Sequence, residues 1–281
     1  MIIDFHTHVF SPRIKQNRSH YIDSDPNFAI LYSDKKARIA TADELIESMD
    51  RDGVDISVIA NYGWVTHELC VETNDYILES IARYPKRLIG FCGVQPLAGE
   101  AAIAEIGRCV SGGIKGVGEL RPDLQLFDLT DVETISPLVE VLRKHKLILM
   151  THTSEPVGHN YPGKGIVYPD MIYPFITSFP ELTIVCAHWG GGLPFYALMP
   201  EVKQTMKNVY FDTAASPFLY SPQVYNQVSQ LAGADRILFG SDYPLIPQSR
   251  YLKDIGSADL TEEERGQILC DNARRLLGIK A

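Results

Sequence analysis

Eight short runs of nearly unbroken apolar residues recur along the chain, at residues 2–9, 56–61, 88–94, 114–120, 147–153, 183–188, 208–213 and 237–241. A strand with one wet face alternates apolar and polar side chains, whereas a strand covered on both faces reads as a continuous hydrophobic run, and sheets buried in that way are parallel. Parallel neighbours need a crossover between them, usually a helix. The intervening segments supply one. Residues 41–44, Thr-Ala-Asp-Glu ahead of Leu45, Ile46 and Met49, have the form of a capping box. Further helices are expected near residues 71–84, 100–110, 131–144, 170–178, 192–206 and 221–231. Thr261, followed by Glu262, Glu263 and Glu264, opens a last helix that ends near Leu277, with Gly278 as its C-terminal cap. Eight strands, each followed by a helix, predict an α/β fold, a (β/α)8 TIM barrel; an open doubly wound sheet is the alternative. No repeat, low-complexity tract or Pro/Gly/Ser linker divides the sequence, so residues 1–281 are read as one domain.

Two connections are longer than the others. Residues 11–40 follow the first strand and residues 154–169 the fifth, both on the face where barrel enzymes build their sites. They are the expected lids and substrate walls, with Arg13, His20, Tyr21, His159, Asn160 and Tyr161 as candidates to reach inward. Composition narrows the function classes. Hydrophobic residues make up 45% and charged residues 22%, a balance that suits a large core and argues against disorder. The net charge of -9 is spread without acidic or basic blocks, so neither a nucleic acid nor another polyanion is an expected partner. The five cysteines are odd in number and scattered, which argues against a disulfide framework and fits a reducing cytoplasm. The opening residues lack the pattern of a secretory signal, and no apolar stretch approaches the roughly 20 residues of a membrane span. Neither secretion nor membrane insertion is expected, and a homodimer is left open.

Polar outliers then fall at the ends of the apolar runs. His6 and His8 share one strand face through the period-2 alternation, so both can reach one divalent metal. Glu119 ends the fourth run, His152 lies near the end of the fifth, His188 ends the sixth, and Asp242 follows the eighth. In a barrel these ends converge on one mouth. Taken singly, each could be a hydrogen-bonded core residue or a turn residue; taken together, they point to a metal site. Asp4 shares the face of His6 by alternation and is expected either to orient a ligand or to serve structure.

These residues resemble a known family. From Ile3-Asp4-Phe5-His6-Thr7-His8, through Ala187-His188-Trp189-Gly190-Gly191, to Gly240-Ser241-Asp242-Tyr243-Pro244, the chain looks like a member of the amidohydrolase superfamily. It resembles the amidohydrolase-related branch that includes aminocarboxymuconate-semialdehyde decarboxylase and lactone-type carboxylate hydrolases. The resemblance implies that His6, His8, His152 and Asp242 bind metal directly and that His188 sits beside the metal-bound water or a substrate oxygen. Glu119, in Gly116-Val117-Gly118-Glu119-Leu120, is similar to the strand-4 glutamate of TatD-type deoxyribonucleases, where such a carboxylate bridges two ions. It would be either a ligand here or an acceptor that orients a histidine.

The expected cofactor is one or two divalent ions, zinc first, with manganese or iron as alternatives. A cation can lower the pKa of bound water and polarise a carbonyl, with Asp242 as proton acceptor and donor and His188 hydrogen-bonding the developing oxyanion. Arg121, Trp189, His67 and Tyr243 are the candidate substrate-binding residues. The leading expectation is a metal-dependent hydrolase of a small, carboxylated cyclic or acyl compound. The enzyme alternative is a metal-dependent decarboxylase of an aromatic or muconate-like acid, and a binding or sensory barrel without turnover is the reading from another class.

Overall fold

The structure, a computed structural model, describes residues 1–280. Eight strands form one sheet in the order of the chain: β1 (Ile3–His8), β2 (Ile56–Ala60), β3 (Leu88–Cys92), β4 (Gly116–Leu120), β5 (Ile148–Thr151), β6 (Ile184–Cys186), β7 (Val209–Asp212) and β8 (Ile237–Leu238). Every adjacent pair is parallel. The sheet closes on itself where Phe5 N donates to the Phe239 carbonyl at 2.7 Å, His8 N to Tyr243 at 2.7 Å and Asp242 N to His6 at 2.9 Å. The expected (β/α)8 barrel is therefore the fold.

Alternation divides the strand residues between two cores. Ile3, Phe5, Val58, Ala60, Phe91, Ile148, Met150, Val185, Tyr210 and Leu238 pack together inside the barrel, with Cys270, Ala273 and Leu277 of the C-terminal segment packed against them. Their strand neighbours Leu149, Ile184, Val209 and Ile237 face outward and bury the apolar stripes of the helices. Two strands depart from strict alternation, β1 between Asp4 and Thr7 and β4 between Val117 and Leu120. A bulge re-aims side chains. In β1 it leaves Asp4 opposite Ser57, bonded to Ser241 and Gln248, while His6 and His8 turn toward the mouth. Asp4 therefore does not share the histidines' surroundings, contrary to the simple alternation. In β4 the shift delivers Glu119. It depends on Gly118, whose φ is +138° and where a Cβ would lie 2.2 Å from the Met150 carbonyl oxygen.

The capping boxes at Thr41/Glu44 and Thr261/Glu264 are present, and Gly53 and Gly278 end their helices in the left-handed conformation. Other expectations change. Residues 11–40 fold largely into three helices, Pro12–Gln16, Arg18–Ser24 and Pro26–Tyr32. Ser11 and Asp25 cap the first and third of these ahead of a proline, a start signal available in the sequence. The helix expected over 192–206 is broken into Leu193–Leu198 and Pro200–Thr205, because Pro200 starts a new helix. A helix not expected, Gln248–Ser257, follows β8, and the last helix contains a π turn at Gln267–Asp271. No helix among the described residues is long and apolar enough to cross a membrane.

Candidate metal centre

His6 and His8 lie on β1, Glu119 on β4 and Asp212 at the end of β7, while His152, His188 and Asp242 sit just beyond β5, β6 and β8. The barrel draws these side chains into two groups whose possible ligand atoms lie within 4.8 Å of one another: His6, His8 and Glu119, and Glu119, His152 and His188. Glu119 belongs to both. Its Oε2 is 3.6 Å from Nε2 of His6 and 3.6 Å from Nε2 of His8. Its Oε1 is 3.0 Å from His152 Nδ1 and 3.4 Å from His188 Nε2. Asp242 Oδ1 completes the first group at 3.6 Å from His8 Nε2 and 4.0 Å from His6 Nε2.

Hydrogen bonds on the far side of each ring settle the tautomers. A carbonyl or carboxylate oxygen can only accept, so the nitrogen facing it carries the proton. His6 Nδ1 donates to Asp212 at 2.8 Å and His8 Nδ1 to the Ala60 carbonyl at 3.2 Å. His152 is the reverse, with Nε2 donating to the Lys164 carbonyl at 2.9 Å. The nitrogens turned into the site, Nε2 of His6, Nε2 of His8 and Nδ1 of His152, are thus the ones left to offer lone pairs to a cation. This is the arrangement by which outer partners orient metal-binding histidines. His6 Nε2 and His8 Nε2 face each other at 3.0 Å. Two ring nitrogens at that separation share either a proton or a cation, and it is the spacing of two nitrogens at right angles about 2.1 Å from one ion. The donor set therefore fits a divalent cation.

Electrostatics agree. Burial works against ionisation of Glu119, yet the imidazoles of His152, His188 and His6 around it hold its carboxyl well below the usual range. Burial and the nearby Arg121 charge keep His152 below the ordinary imidazole value, and so neutral. Burial would also lower His6, but the Asp212 carboxylate outweighs it and raises the ring well above its ordinary value, so that without an ion Nε2 holds a proton that a bound cation would displace. Asp212 is the residue that sequence reasoning missed. An acid at the end of the apolar run 208–213 was the available signal. Its Oδ2 holds His6, and its Oδ1 accepts from the His188 backbone N–H at 2.9 Å. His188 (φ 55°), Trp189 (φ 59°) and Asp242 (φ 59°) all occupy the left-handed region that non-glycine residues avoid. Such strain persists where surrounding bonds over-determine it.

The centre opens into a cavity of about 530 Å³, to which His8, Glu119, His152, His188 and Asp242 contribute. Its walls are largely apolar, from Ile30, Leu31 and Tyr32 on one long connection to Phe218, Leu245 and Ile246. Arg121, His159 and Tyr161 also line it. The other candidates do not. Trp189 is fully buried with its indole N–H on Ser216 Oγ, and Tyr243 is buried with its hydroxyl donating to the Glu44 carbonyl at 3.1 Å. His67 begins the helix His67–Arg83, and Tyr21 is committed to Glu72 at 2.5 Å. A second depression, of about 590 Å³, lies among Arg143, Lys146 and Glu181 at the N-terminal ends of β5 and β6, the face opposite the donors. It holds none of them.

Known proteins share this architecture. A 2-amino-3-carboxymuconate-6-semialdehyde decarboxylase of Dictyostelium discoideum is 22% identical over 333 residues, covering 99% of this chain and 91% of the relative. The 5-carboxyvanillate decarboxylase of Novosphingobium aromaticivorans, solved with manganese and 3-methoxy-4-hydroxy-5-nitrobenzoic acid, superposes with a TM-score of 0.81 at 18% identity, covering 99% of this chain and 97% of that one. A dihydroxybenzoic acid decarboxylase of Polaromonas sp. JS666, solved with manganese and 2-nitroresorcinol, gives a TM-score of 0.73 at 19% identity, covering 100% and 98%. The family model described as Amidohydrolase matches residues 3–279, a span that takes in every strand of the barrel and every donor of the centre. The chain belongs to the amidohydrolase family.

Proposed function

We propose that this chain is a metal-dependent decarboxylase of a small aromatic or muconate-like acid. The observation that carries the reading is the near full-length correspondence with the Dictyostelium decarboxylase. The expectation of hydrolysis is corrected on that ground: relatives that match along the chain release a carboxyl group. The apolar cavity supports the same reading, because a flat unsaturated acid can be buried there with its polar end at the centre.

His6, His8, Glu119, His152 and Asp242 would hold one or two ions, and Glu119 turns one oxygen toward each histidine pair. Zinc or manganese suits a set of imidazoles and carboxylates, and manganese is the ion in the two named relatives. When bound, the cation supplies the charge that stabilises the electron pair left behind as carbon dioxide departs. The residues do the rest. The cavity walls exclude water around the reacting carbon, and Asp242, which lines the cavity, is placed to relay a proton to it. The bond to the carboxyl group breaks, its electrons stay on the substrate carbon, and that carbon takes a proton relayed from solvent through Asp242, which ends as the carboxylate it began as. His188 turns Nε2 toward His152 Nδ1 at 3.1 Å and Glu119 Oε1 at 3.4 Å, which places its proton there, and with those acceptors engaged by a cation it would donate Nε2–H to a substrate oxygen. The five cysteines are free and buried, and the cytoplasm remains the proposed compartment.

The test is incubation of manganese-loaded protein with hydroxybenzoic and muconate-type acids in deuterium oxide and oxygen-18 water. Stoichiometric carbon dioxide with one deuterium on the product carbon is expected, and Asp242→Asn should lower kcat by at least about 100-fold, the scale of a lost proton-transfer group. Oxygen-18 incorporation into product without carbon dioxide would sink the proposal.

A further inference from the structure

Arg121 is a buried cation that uses two of its five guanidinium N–H donors. It follows β4 two residues after Glu119, is 4% exposed and lines the cavity beside His152. Its acidic partner is Asp123, reached by Nε at 3.4 Å and Nη2 at 3.5 Å. Charge-assisted pairs normally close to about 2.7–2.9 Å, so this fork is loosely engaged. A guanidinium has five N–H donors and does not lose its proton. Two meet Asp123; the other three have no protein acceptor among the described residues. They are not walled in by apolar atoms either, since the side chain borders the cavity.

The surroundings are built to leave that room. A Cβ at Gly63 (φ +72°) would fall 2.9 Å from Arg121 Cγ, and one at Gly165 (φ +70°) would fall 3.0 Å from Arg121 Nη2 and 2.4 Å from Asp123 Oδ2. Gly63 makes room for the arginine's own stem, and at Gly165 the missing Cβ leaves the Nη2 end of the guanidinium uncovered. A desolvated cation with spare donors calls for an anion.

We propose that Arg121 anchors a second carboxylate of the substrate, one that stays on the product. This rests on the decarboxylase reading, and the chemistry of that reaction decides which carboxylate it is. The departing group must shed its charge to become carbon dioxide, so an arginine clamped on it would stabilise the starting state and raise the barrier. A cation is useful on a carboxylate that keeps its charge throughout, where binding energy orients the reacting end. The site thus takes dicarboxylic acids, one carboxyl at the metal donors and one at Arg121.

Calorimetric titration of the manganese-loaded protein with isophthalate and with benzoate tests this, alongside carbon dioxide release from the acid panel. Isophthalate is expected to bind at least about 10-fold more tightly than benzoate, the worth of one charge-assisted pair. Arg121→Gln should abolish that advantage, and Arg121→Lys, which keeps the charge and guards against a folding failure, should retain only part of it. Asp123→Asn removes the competing carboxylate and should increase the advantage. An advantage absent in the wild type, or unchanged across the Arg121 variants, overturns the subsite; carbon dioxide release in that case leaves the reaction standing. An Arg121-dependent advantage without carbon dioxide from any acid instead overturns the reaction and keeps the subsite.

Discussion

The Asp212 carboxylate acts on the centre without facing it. By accepting from His6 Nδ1 at 2.8 Å it fixes which nitrogen is left for a cation, and by accepting from the His188 backbone N–H at 2.9 Å it holds that residue in its left-handed conformation. Asp212→Asn keeps the shape but offers an amide that can present a donor instead of an acceptor, so the His6 tautomer is no longer enforced. Manganese affinity is expected to fall about 10–100-fold while the far-ultraviolet circular dichroism stays unchanged. Titration of the apo-protein with manganese, followed by electron paramagnetic resonance, reads this, and wild-type affinity would show that Asp212 serves packing alone. At this scale the sequence disclosed donors better than their supports. His6, His8, Glu119, His152, His188 and Asp242 stood out because charge or imidazole at the end of an apolar run is unusual. Asp212 is equally placed, but its role depends on a contact 206 residues away in the chain. The alternation that correctly pairs His6 with His8 misplaces Asp4, because the bulge between Asp4 and Thr7 leaves no mark in the residue types.

Strand ends and the loops that leave them carry the rest of the site. Residues 154–169 are strapped to the centre through one carbonyl, that of Lys164, which accepts from His152 Nε2 at 2.9 Å and from Ser154 Oγ. The same segment places His159, Tyr161 and Gly163 along the cavity. Its role as a wall was readable from its length; the strap was not, since a backbone acceptor has no side-chain signature. In the other long connection, Pro12 and Pro26 directly after Ser11 and Asp25 announced helices that a reading based on apolar periodicity passed over. β4 gives the sharpest test. Gly118 lies against the Met150 carbonyl with its φ at +138°, and a side chain there has nowhere to go. Gly118→Ala should cost roughly 1–3 kcal/mol from the backbone conformation alone, and more from the contact. Because the next residue is Glu119, manganese stoichiometry should fall together with the urea midpoint. A variant that melts earlier but binds metal as the wild type does would separate β4 geometry from the centre.

Closure of the barrel makes the candidate metal centre a property of the whole chain. Its donors come from β1, β4 and the ends of β5, β6 and β8, elements spread over the full length of the sequence, and they meet only when β8 pairs with β1. That convergence was the most legible feature at this scale, because eight apolar runs with their polar residues at one end admit few other architectures. What the runs could not show was how Glu119 is divided. Its Oε2 faces His6 and His8 at 3.6 Å each, and its Oε1 faces His152 at 3.0 Å and His188 at 3.4 Å, so its two oxygens serve different histidine pairs. If Glu119 bridges two ions, Glu119→Gln should reduce the stoichiometry from two manganese to one after saturation and desalting, since an amide offers one oxygen and no charge. Stability should follow the ions. A ligand that binds only the native state at 1,000 times its Kd contributes about 4 kcal/mol, and in a chain of this size each kcal/mol moves Tm by about 2–4 °C. Chelation should therefore lower the melting temperature of the wild type by roughly 10 °C, and by less in Glu119→Gln, which has fewer ions to lose. Differential scanning calorimetry with metal analysis on the same samples decides it: one ion in both proteins, with equal losses of Tm on chelation, would leave Glu119 as an orienting acceptor and remove the bridge.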